Sequence, residues 1–315
     1  MKIERINNWF ALCGKRMMRN RWVVLGGFIL ILAIGVSGLR YFKVSASWED
    51  YFLEDDPMLV KTEEFKEIFG NDNFAAVLTR CDNSFTKDNL ELIRELTNEM
   101  VDSLSYADKI TSLTDIEFMM GGEDGIAIEQ IVPDTIPTDP KQLEEIRRKA
   151  YMKPHVAERL ISKDGTLSWI ILKLRTFPED SVWNKGKNPV SPEVLTGNEL
   201  DHIITKDKYK ALHPKGTGLP YVTAMKMNWI GKEMPRVMGI AALVSILILL
   251  LVTRSFRGVV VPLLTAISSI IVVYGVLGYV GMTIDSGMVM IPMLLVFAVS
   301  IAYNIHAVSY THLTL

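Results

Sequence analysis

The sequence predicts an α-helical membrane bundle with an α+β domain inserted between its first and second helices. Residues 237–308 hold three long apolar runs separated by short turns, and a further uncharged run covers residues 22–39. A lipid core of about 30 Å takes roughly 20 apolar residues of helix, and each backbone polar group in it must be bonded within its own segment. Nearly all charged residues lie between these two apolar regions, so the chain combines membrane-embedded and water-exposed parts.

Residues 1–21 form a basic leader before the first apolar run. Apolar side chains recur at helical spacing and basic ones lie mostly on the other side, which is typical of an amphipathic helix in the headgroup layer. A disordered basic leader fits the same composition, and the sequence leaves both open. The run at 22–39 is longer than the roughly 7 to 15 apolar residues of a secretory signal peptide, which favours a retained transmembrane helix 1.

The positions of lysine and arginine predict which side of the membrane each loop occupies, because basic residues near helix ends stay in the cytoplasm. Basic residues precede helix 1 and also lie in the turn that follows residue 252, whereas the turn at 281–287 has none. The residues concerned are Lys15, Arg16, Arg19, Arg21, Arg254 and Arg257. The N-terminus is therefore predicted inside and residues 40–236 outside.

Residues 40–236 are predicted to form the α+β domain. A strand at 74–79, a helix at 89–104 with an apolar stripe and a strand at 110–113 predict a β-α-β unit closed by a turn at 107–108. Further on we expect a loop at 121–140, a helix at 141–152, a strand at 166–177 and a helix around 193–210. Residues 221–236 should form a helix that runs into the membrane.

The remaining apolar runs predict transmembrane helix 2 at 237–252, helix 3 at 259–280 and helix 4 at 287–308. The last residues, 309–315, lack the lysine or arginine of a cytoplasmic helix end, so we expect a truncated or non-native end there.

Small residues give helix 3 a face suited to close packing against another helix. They are Ser268, Ser269, Gly275, Gly278 and Gly281.

Two short motifs outside helix 4 resemble segments of a known protein family. Residues 65–72, Phe-Lys-Glu-Ile-Phe-Gly-Asn-Asp, resemble a Phe-x-x-x-Phe-Gly-x-Asp segment that opens an outer domain. Residues 253–258, Thr-Arg-Ser-Phe-Arg-Gly, with Pro262 and Leu263 after them, resemble a Phe-Arg-Ser-x-Arg-Gly turn between two membrane helices. Thr253 stands where that turn usually has an aromatic residue.

In helix 4, residues 298–306 resemble the motif Gly-x-Gly-x-Asp-Tyr-x-x-His. Tyr303 and His306 match it, whereas Ala302 stands at the position of a proton-carrying aspartate. With these motifs the chain resembles the first part of a resistance-nodulation-division (RND) transporter, in the MMPL or hydrophobe-amphiphile efflux branch.

The resemblance implies a porter-like outer domain and a bundle of twelve membrane helices in two repeats, of which four are present here. It also implies a multi-pass protein of the bacterial cytoplasmic (inner) membrane that exports lipids or other hydrophobic or amphiphilic molecules, driven by an ion (proton) gradient. The expected partners are membrane lipids, the substrate and the missing C-terminal repeat, and a homo-oligomer is compatible with such a protein.

Four polar residues of helix 4 are candidates for a proton or ion relay: Ser300, Tyr303, Asn304 and His306. Their spacing places them on one side of a helix, and polar residues in membrane helices usually face the bundle interior or a wet cavity. Histidine titrates near neutral pH, so His306 can carry a proton where Ala302 cannot. The same residues can instead serve only as polar contacts that hold the bundle together.

Several functional classes are not supported by the sequence. Walker-type, Gly-x-Ser-x-Gly and His-Glu-x-x-His motifs are absent, so no enzyme activity and no cofactor are predicted. His155, His202 and His213 lack metal-ligand spacing, and the acidic residues at 49–56 indicate a solvated linker rather than a cation site.

Charge and cysteine content exclude two further classes. The acidic balance of residues 40–236 argues against nucleic acid as a partner. Cys13 and Cys81 fall in segments predicted on opposite sides of the membrane, so they cannot form a disulfide.

A different function class remains open besides transport. The chain can be a non-transporting membrane sensor or scaffold whose outer domain binds a ligand or a partner protein. Ala302 is the feature that favours this alternative.

Overall fold

The computed structural model describes residues 2–45, 52, 55–69, 73–122, 125–178 and 190–313. The chain divides into two compact units. We call Phe52–Trp229 the sheet unit, and Met1–Tyr51 together with Ile230–Leu315 the helical unit.

In chain order the elements are α1 (Lys2–Arg19), α2 (Arg21–Gly38), β1 (Lys43–Ser45), α3 (Pro57–Phe69), β2 (Phe74–Arg80), α4 (Lys87–Ser103), β3 (Ala107–Thr111), β4 (Glu117–Gly122), β5 (Gly125–Gln130), α5 (Pro140–Tyr151), α6 (Pro154–Ala157), β6 (Leu167–Leu174), α7 (Pro192–Ile204), a 3-10 helix (Asp207–Leu212), β7 (Lys215–Thr217), α8 (Leu219–Thr253), α9 (Phe256–Val280), β8 (Thr283–Asp285) and α10 (Met290–Leu313).

The sheet unit is built on a four-stranded sheet in the order β3-β6-β2-β7, with every neighbouring pair antiparallel. The predicted β-α-β unit is present as β2, α4 and β3, but β6 lies between its two strands. In the same way, β2 lies between β6 and β7, the strands that flank α7. Two split β-α-β halves therefore interleave, which is the ferredoxin-like pattern.

The core of the sheet unit lies where α4 and α7 cover the sheet. Ile93, Leu96 and Met100 recur at helical spacing on α4 and are completely buried, as the apolar stripe predicted. They pack with Ile170 and Leu172 of β6, whose side chains alternate with half-buried ones along the strand. A separate apolar cluster, which includes Leu113 and Ile146, involves α5 and the segment that follows β5.

Three predictions for the sheet unit are wrong in detail. The expected loop at 121–140 contains the end of β4 and all of β5, which pair as a hairpin. The turn of the β-α-β unit lies at residues 105–106, because β3 already begins at residue 107. The predicted helix at 193–210 ends earlier, and a 3-10 helix follows it.

One helix of the sheet unit, α3, is not predicted by the sequence. Helix α3 begins at Pro57, where the Asp56 carboxylate accepts a hydrogen bond of 2.8 Å from the Met58 N–H. Asp55 and Asp56 lie within the described residues, whereas the other acidic residues of that group lie outside them.

Among the described residues, three helices, α2, α8 and α9, are long and apolar enough to cross a membrane. Helices α8 and α9 contain the predicted helices 237–252 and 259–280, and α2 covers the predicted helix 22–39 except for its last residue. Helix α8 is continuous from Leu219 to Thr253, and the boundary between the two units falls within it. The predicted helix 4 lies in α10, whose apolar part, Met290–Tyr303, is shorter. Helix α1 covers the basic leader.

Candidate functional site

Helices α2 and α9 meet at four glycines, Gly35 and Gly38 on one helix and Gly275 and Gly278 on the other. A Cβ atom at Gly275 would overlap the carbonyl oxygen of Gly35, and one at Gly38 would overlap the backbone of Gly275. We call this contact the glycine seam. Such close approach of backbones is how membrane helices associate without bulky side chains.

The predicted small-residue face is confirmed at Gly275 and Gly278 but wrong at Gly281. Gly281 ends α9 with a φ of 76°, and no atom lies within 4 Å of a Cβ placed there. Its role is to supply a left-handed turn, which glycine adopts without steric penalty. The sequence does not predict that α2 supplies the partner glycines.

Two tyrosines of α9, Tyr274 and Tyr279, make further contacts near the ends of α2 and α9. The hydroxyls of Ser37 and Tyr279 lie 2.5 Å apart and share a hydrogen bond, so a polar contact joins the two helices. The Tyr274 hydroxyl donates to the Val289 carbonyl at 2.6 Å, and its ring meets that of Phe42 edge-on at 5.0 Å. Aromatic residues of this kind are enriched where membrane helices reach the interface.

The chain segments that extend the seam form a small parallel sheet. Strand β1 pairs with β8 in the register Val44 to Ile284. Asp285 is only 6% exposed, and its carboxylate accepts the Gly287 N–H at 2.8 Å. This bond forms a side-chain turn that leads into α10.

The structure shows why residues 253–258, which resemble a family motif, suit the turn between α8 and α9. The Thr253 hydroxyl donates to the Leu249 carbonyl at 2.7 Å, and a Cβ at Gly258 would collide with the Thr253 side chain. Arg254 takes a φ of 45°, which reverses the chain. Thr253, which stands where an aromatic residue is usual, therefore closes a turn that has room only for glycine at 258.

Helix α10 packs into the helical unit through Phe297 and Ile301, which are 5% and 7% exposed. They belong to an apolar cluster with Leu249 of α8 and with Val259 and Ala266 of α9. This cluster fixes which face of α10 is covered by the described part of the bundle.

Of the four predicted relay residues, the structure describes the side chains of Ser300 and Tyr303. Ser300 is half-buried beside the packed face, whereas Tyr303 is 74% exposed and Ala302 is also exposed. Asn304 and His306 lie on α10, but their side chains are outside the described residues. The relay stays a prediction.

The sheet unit carries two polar grooves that the sequence does not predict. They flank residues 131–137, which Arg94 of α4 holds by donating to the carbonyls of Asp134 at 2.6 Å, Pro133 at 2.9 Å and Val132 at 3.1 Å. The larger groove has a volume of about 770 Å³, and its lining includes Glu117, Gln130, Thr135, Gln142 and Lys149. The smaller has about 480 Å³, and its lining includes Lys87, Glu91 and Asn98.

These grooves offer hydrogen-bond donors and acceptors of mixed charge to a polar ligand group. The exposed polar face of α4 is the one sequence signal that could have indicated them, and such a face is ordinary on a surface helix.

An ion-pair network around the mostly buried Glu99 joins α4 to the 3-10 helix and to Lys206 just before it. Glu99 pairs with Lys206, with Lys208 at 2.8 Å and with the Tyr209 hydroxyl at 2.5 Å. Burial alone would raise the pKa of Glu99, but the hydrogen bonds from these three residues outweigh it and hold the pKa at about 2. Burial, then the bond to Glu99, raises the pKa of Tyr209 to about 12. Lys208 also pairs at 2.6 Å with Glu95, which lines the smaller groove, so the network reaches the edge of that groove.

In the part of the chain that the structure describes, no group of three or more histidine, cysteine or acidic residues could hold a metal ion. His202 and His213 are exposed, and the His155 side chain lies outside the described residues. Cys13 and Cys81 are both free thiols.

Comparison with known proteins adds a family to this geometry. The model of the MMPL family matches residues 57–312. The match begins at α3, covers the sheet unit and continues through α8 and α9 into α10. Comparison with curated proteins gave no match.

Proposed function

The chain belongs to the MMPL family, and from this we propose that it is the first part of an RND-type secondary transporter that exports lipids or other hydrophobic or amphiphilic molecules. Members of this family are RND-type transporters of hydrophobic substances rather than enzymes. The family match over residues 57–312 is the observation that carries the proposal. An ion gradient, most simply of protons, would supply the energy.

In this proposal the glycine seam makes α2 and α9 one rigid body. Since backbone atoms of Gly35 and Gly275 are already in contact, neither helix can shift toward the other without a collision. Transporters of this kind work by rocking such bodies around a site near the middle of the membrane. Export would therefore move α2 and α9 together, and α10 relative to the missing C-terminal repeat.

The proposed proton relay lies on α10. Ser300, Tyr303, Asn304 and His306 follow one another along the helix, and Ala302 cannot titrate, so His306 is the proposed proton carrier. The exposure of Tyr303 in this chain fits a surface that the C-terminal repeat would cover. Membrane lipids, the substrate and that repeat are the proposed partners.

The sheet unit would be the porter-like domain. We place residues 40–236 outside and the N-terminus inside a bacterial cytoplasmic (inner) membrane, because the basic residues near α2 and in the turn at Arg254 favour the cytoplasm. Single cysteines at Asp134 and at Ser255 test this layout. A membrane-impermeant thiol reagent added outside should label the first and not the second, and labelling of both would refute it.

Transport itself can be tested in proteoliposomes that contain the protein with its C-terminal repeat. A fluorescent lipid should move between leaflets faster when a pH gradient is imposed, and a protonophore should abolish the gain. Gly275→Leu, which opens the seam, should lose transport, whereas Gly239→Leu on α8, where nothing lies within 4 Å of a Cβ, should keep it. If lipid moved no faster than in empty liposomes, with or without the pH gradient, the proposal would be contradicted.

A sensor or scaffold is the second candidate, and Ala302 favours it, since the residue that carries the proton in related proteins is absent. In that case the grooves beside Arg94 would bind a ligand or a partner, and the helices would only anchor the protein. The same proteoliposomes distinguish the two, because a scaffold moves no lipid under any gradient.

A further inference from the structure

Helix α1 presents a large apolar surface that the described protein leaves uncovered. Trp9, Phe10 and Met17 are 61%, 62% and 55% exposed, and the rings of Trp9 and Phe10 pack edge-on at 5.1 Å. Phe10, Cys13 and Met17 follow each other at intervals of three and four residues, which places them on one face of the helix.

Basic side chains occupy a different face of the same helix. Lys15, Arg16 and Arg19 are all exposed, and helical spacing places them away from Phe10 and Met17. Glu4 is the one acidic residue of α1, against the five basic residues Lys2, Arg5, Lys15, Arg16 and Arg19. The charge of this face is therefore complementary to a negatively charged surface.

The covalent chain keeps α1 close to lipid. α1 ends at Arg19 and α2, which is long and apolar enough to cross a membrane, begins at Arg21. Only Asn20 separates the two helices. Its backbone φ of −104° and ψ of 33° are not helical, so the helix is interrupted there. The nearest surface with both apolar and anionic chemistry is the leaflet at which α2 starts.

We propose that α1 lies along this leaflet and binds anionic phospholipid headgroups. The Phe10, Cys13 and Met17 face enters the boundary between headgroups and acyl chains, at a depth of about 5–10 Å, and the basic face contacts the phosphates. Each basic residue near an anionic surface strengthens such binding about fivefold. The three together contribute on the order of a hundredfold.

The chain's own cysteine provides the probe. In the Cys81→Ser variant, Cys13 is the single thiol and can carry a nitroxide label on the apolar face. A matched label at Lys15→Cys, in a chain with Cys13→Ser and Cys81→Ser, reports the basic face. Each full chain is reconstituted in nanodiscs of phosphatidylcholine with and without phosphatidylglycerol, and collision with oxygen and with a water-soluble nickel chelate is measured by electron paramagnetic resonance.

In anionic nanodiscs we expect the label at Cys13 to collide more with oxygen and less with nickel than the label at Lys15→Cys. Replacing Lys15, Arg16 and Arg19 with glutamine should return the Cys13 label to the accessibility found in pure phosphatidylcholine. Equal oxygen-to-nickel ratios at both positions in anionic nanodiscs would overturn the proposal.

A protein occupant gives a different signature. If a second copy covered the apolar face, the Cys13 label would be protected from both reagents, and labels on two copies would show a short mutual distance in double electron–electron resonance. That result would also overturn lipid binding.

Discussion

In the sheet unit, Leu172 and Ile170 are completely buried among other large apolar side chains, whereas in the helical unit the tightest contact is made by glycines that have no side chain. Most large apolar residues of α2, such as Leu30 and Ile31, are more than half exposed. Water drives the first kind of packing, because burying apolar area is favourable there. Lipid is as apolar as leucine, so helices within it gain by close backbone approach instead.

This difference predicts opposite sensitivities to side-chain size. Enlarging a residue should damage the glycine seam, and shrinking a residue should damage the sheet core.

The largest effect is expected for Gly275→Leu. Its Cβ would overlap the backbone of Gly35, which cannot be relieved by a change of rotamer, so α2 and α9 must separate. The fraction of detergent-solubilised protein that stays monodisperse on heating should fall sharply. Gly239→Leu adds the same apolar volume where no atom is within 4 Å and should leave that fraction nearly unchanged. If the two variants lost monodispersity to the same extent, the glycine seam would not be what holds α2 and α9 together.

Leu172→Ala should have the next largest effect. The side chain is completely buried in the sheet core, so its loss should lower the free energy of unfolding by about 3 kcal/mol. Hydrogen exchange of the β2 and β6 amides in the full chain should accelerate accordingly. Leu264→Ala on α9, where the leucine is 59% exposed, should cost less than about 1 kcal/mol, because lipid or detergent replaces the lost contacts. A larger loss of unfolding free energy for Leu264→Ala than for Leu172→Ala would contradict the proposed difference between the two units.

An intermediate and pH-dependent effect is expected for Glu99→Gln. The hydrogen bonds from the two lysines and Tyr209 are strengthened by the charge of Glu99, so their weakening should lower the free energy of unfolding by about 2 kcal/mol at neutral pH. Because the folded pKa of about 2 lies below the ordinary 4.5, this contribution is present above pH 4.5 and is lost as the pH falls toward 2.

Urea unfolding of the wild type and the variant at several pH values measures the difference. The exposed Glu91, paired with Lys87 at 3.6 Å on the same helix, is the control, and Glu91→Gln should cost only about 0.3 kcal/mol. A difference between wild type and Glu99→Gln that persists at pH 2 would show that the charge is not its source.

The smallest effect is expected for Tyr279→Phe, which removes the hydrogen bond to Ser37 and leaves the glycine contacts intact. Hydrogen bonds between membrane helices are worth about 0.6 kcal/mol on average, so the thermal midpoint should drop only slightly. Tyr303→Phe, at a site 74% exposed, should not change it. A loss as large as that of Gly275→Leu would mean that the hydroxyl pair, not the backbone contact, holds the helices.

Sequence patterns predicted the features that depend on neighbours along the chain. The apolar stripe of α4, strands β2 and β6, and the small residues Gly275 and Gly278 follow from periodicity. The insertion of β6 between β2 and β3 does not, because strand order is decided by pairing between distant segments. The β4–β5 hairpin was read as a loop for the same reason, since the pairing of its strands supplies the stability that their composition lacks.

The partner of the seam lay beyond sequence reasoning as well. Ser37 and Tyr279 are 242 residues apart, and the glycines of α2 give no local sign of the helix they meet. Likewise, the sequence does not predict that the pairing of β8 with β1 buries Asp285. For the relay, the motif in α10 named the residues, but the groups that they would face cannot be predicted from spacing along one helix.

The most direct test of the proposed transport is the pH dependence of lipid export by His306→Gln in the protein with its C-terminal repeat. If His306 carries the proton, export by the wild type should vary across about pH 5.5–8, where histidine titrates, and His306→Gln should abolish that dependence while expression and folding are kept. His306→Asp should restore part of it. Unchanged pH dependence in His306→Gln would contradict the relay and leave His306 as a contact that only holds the bundle together.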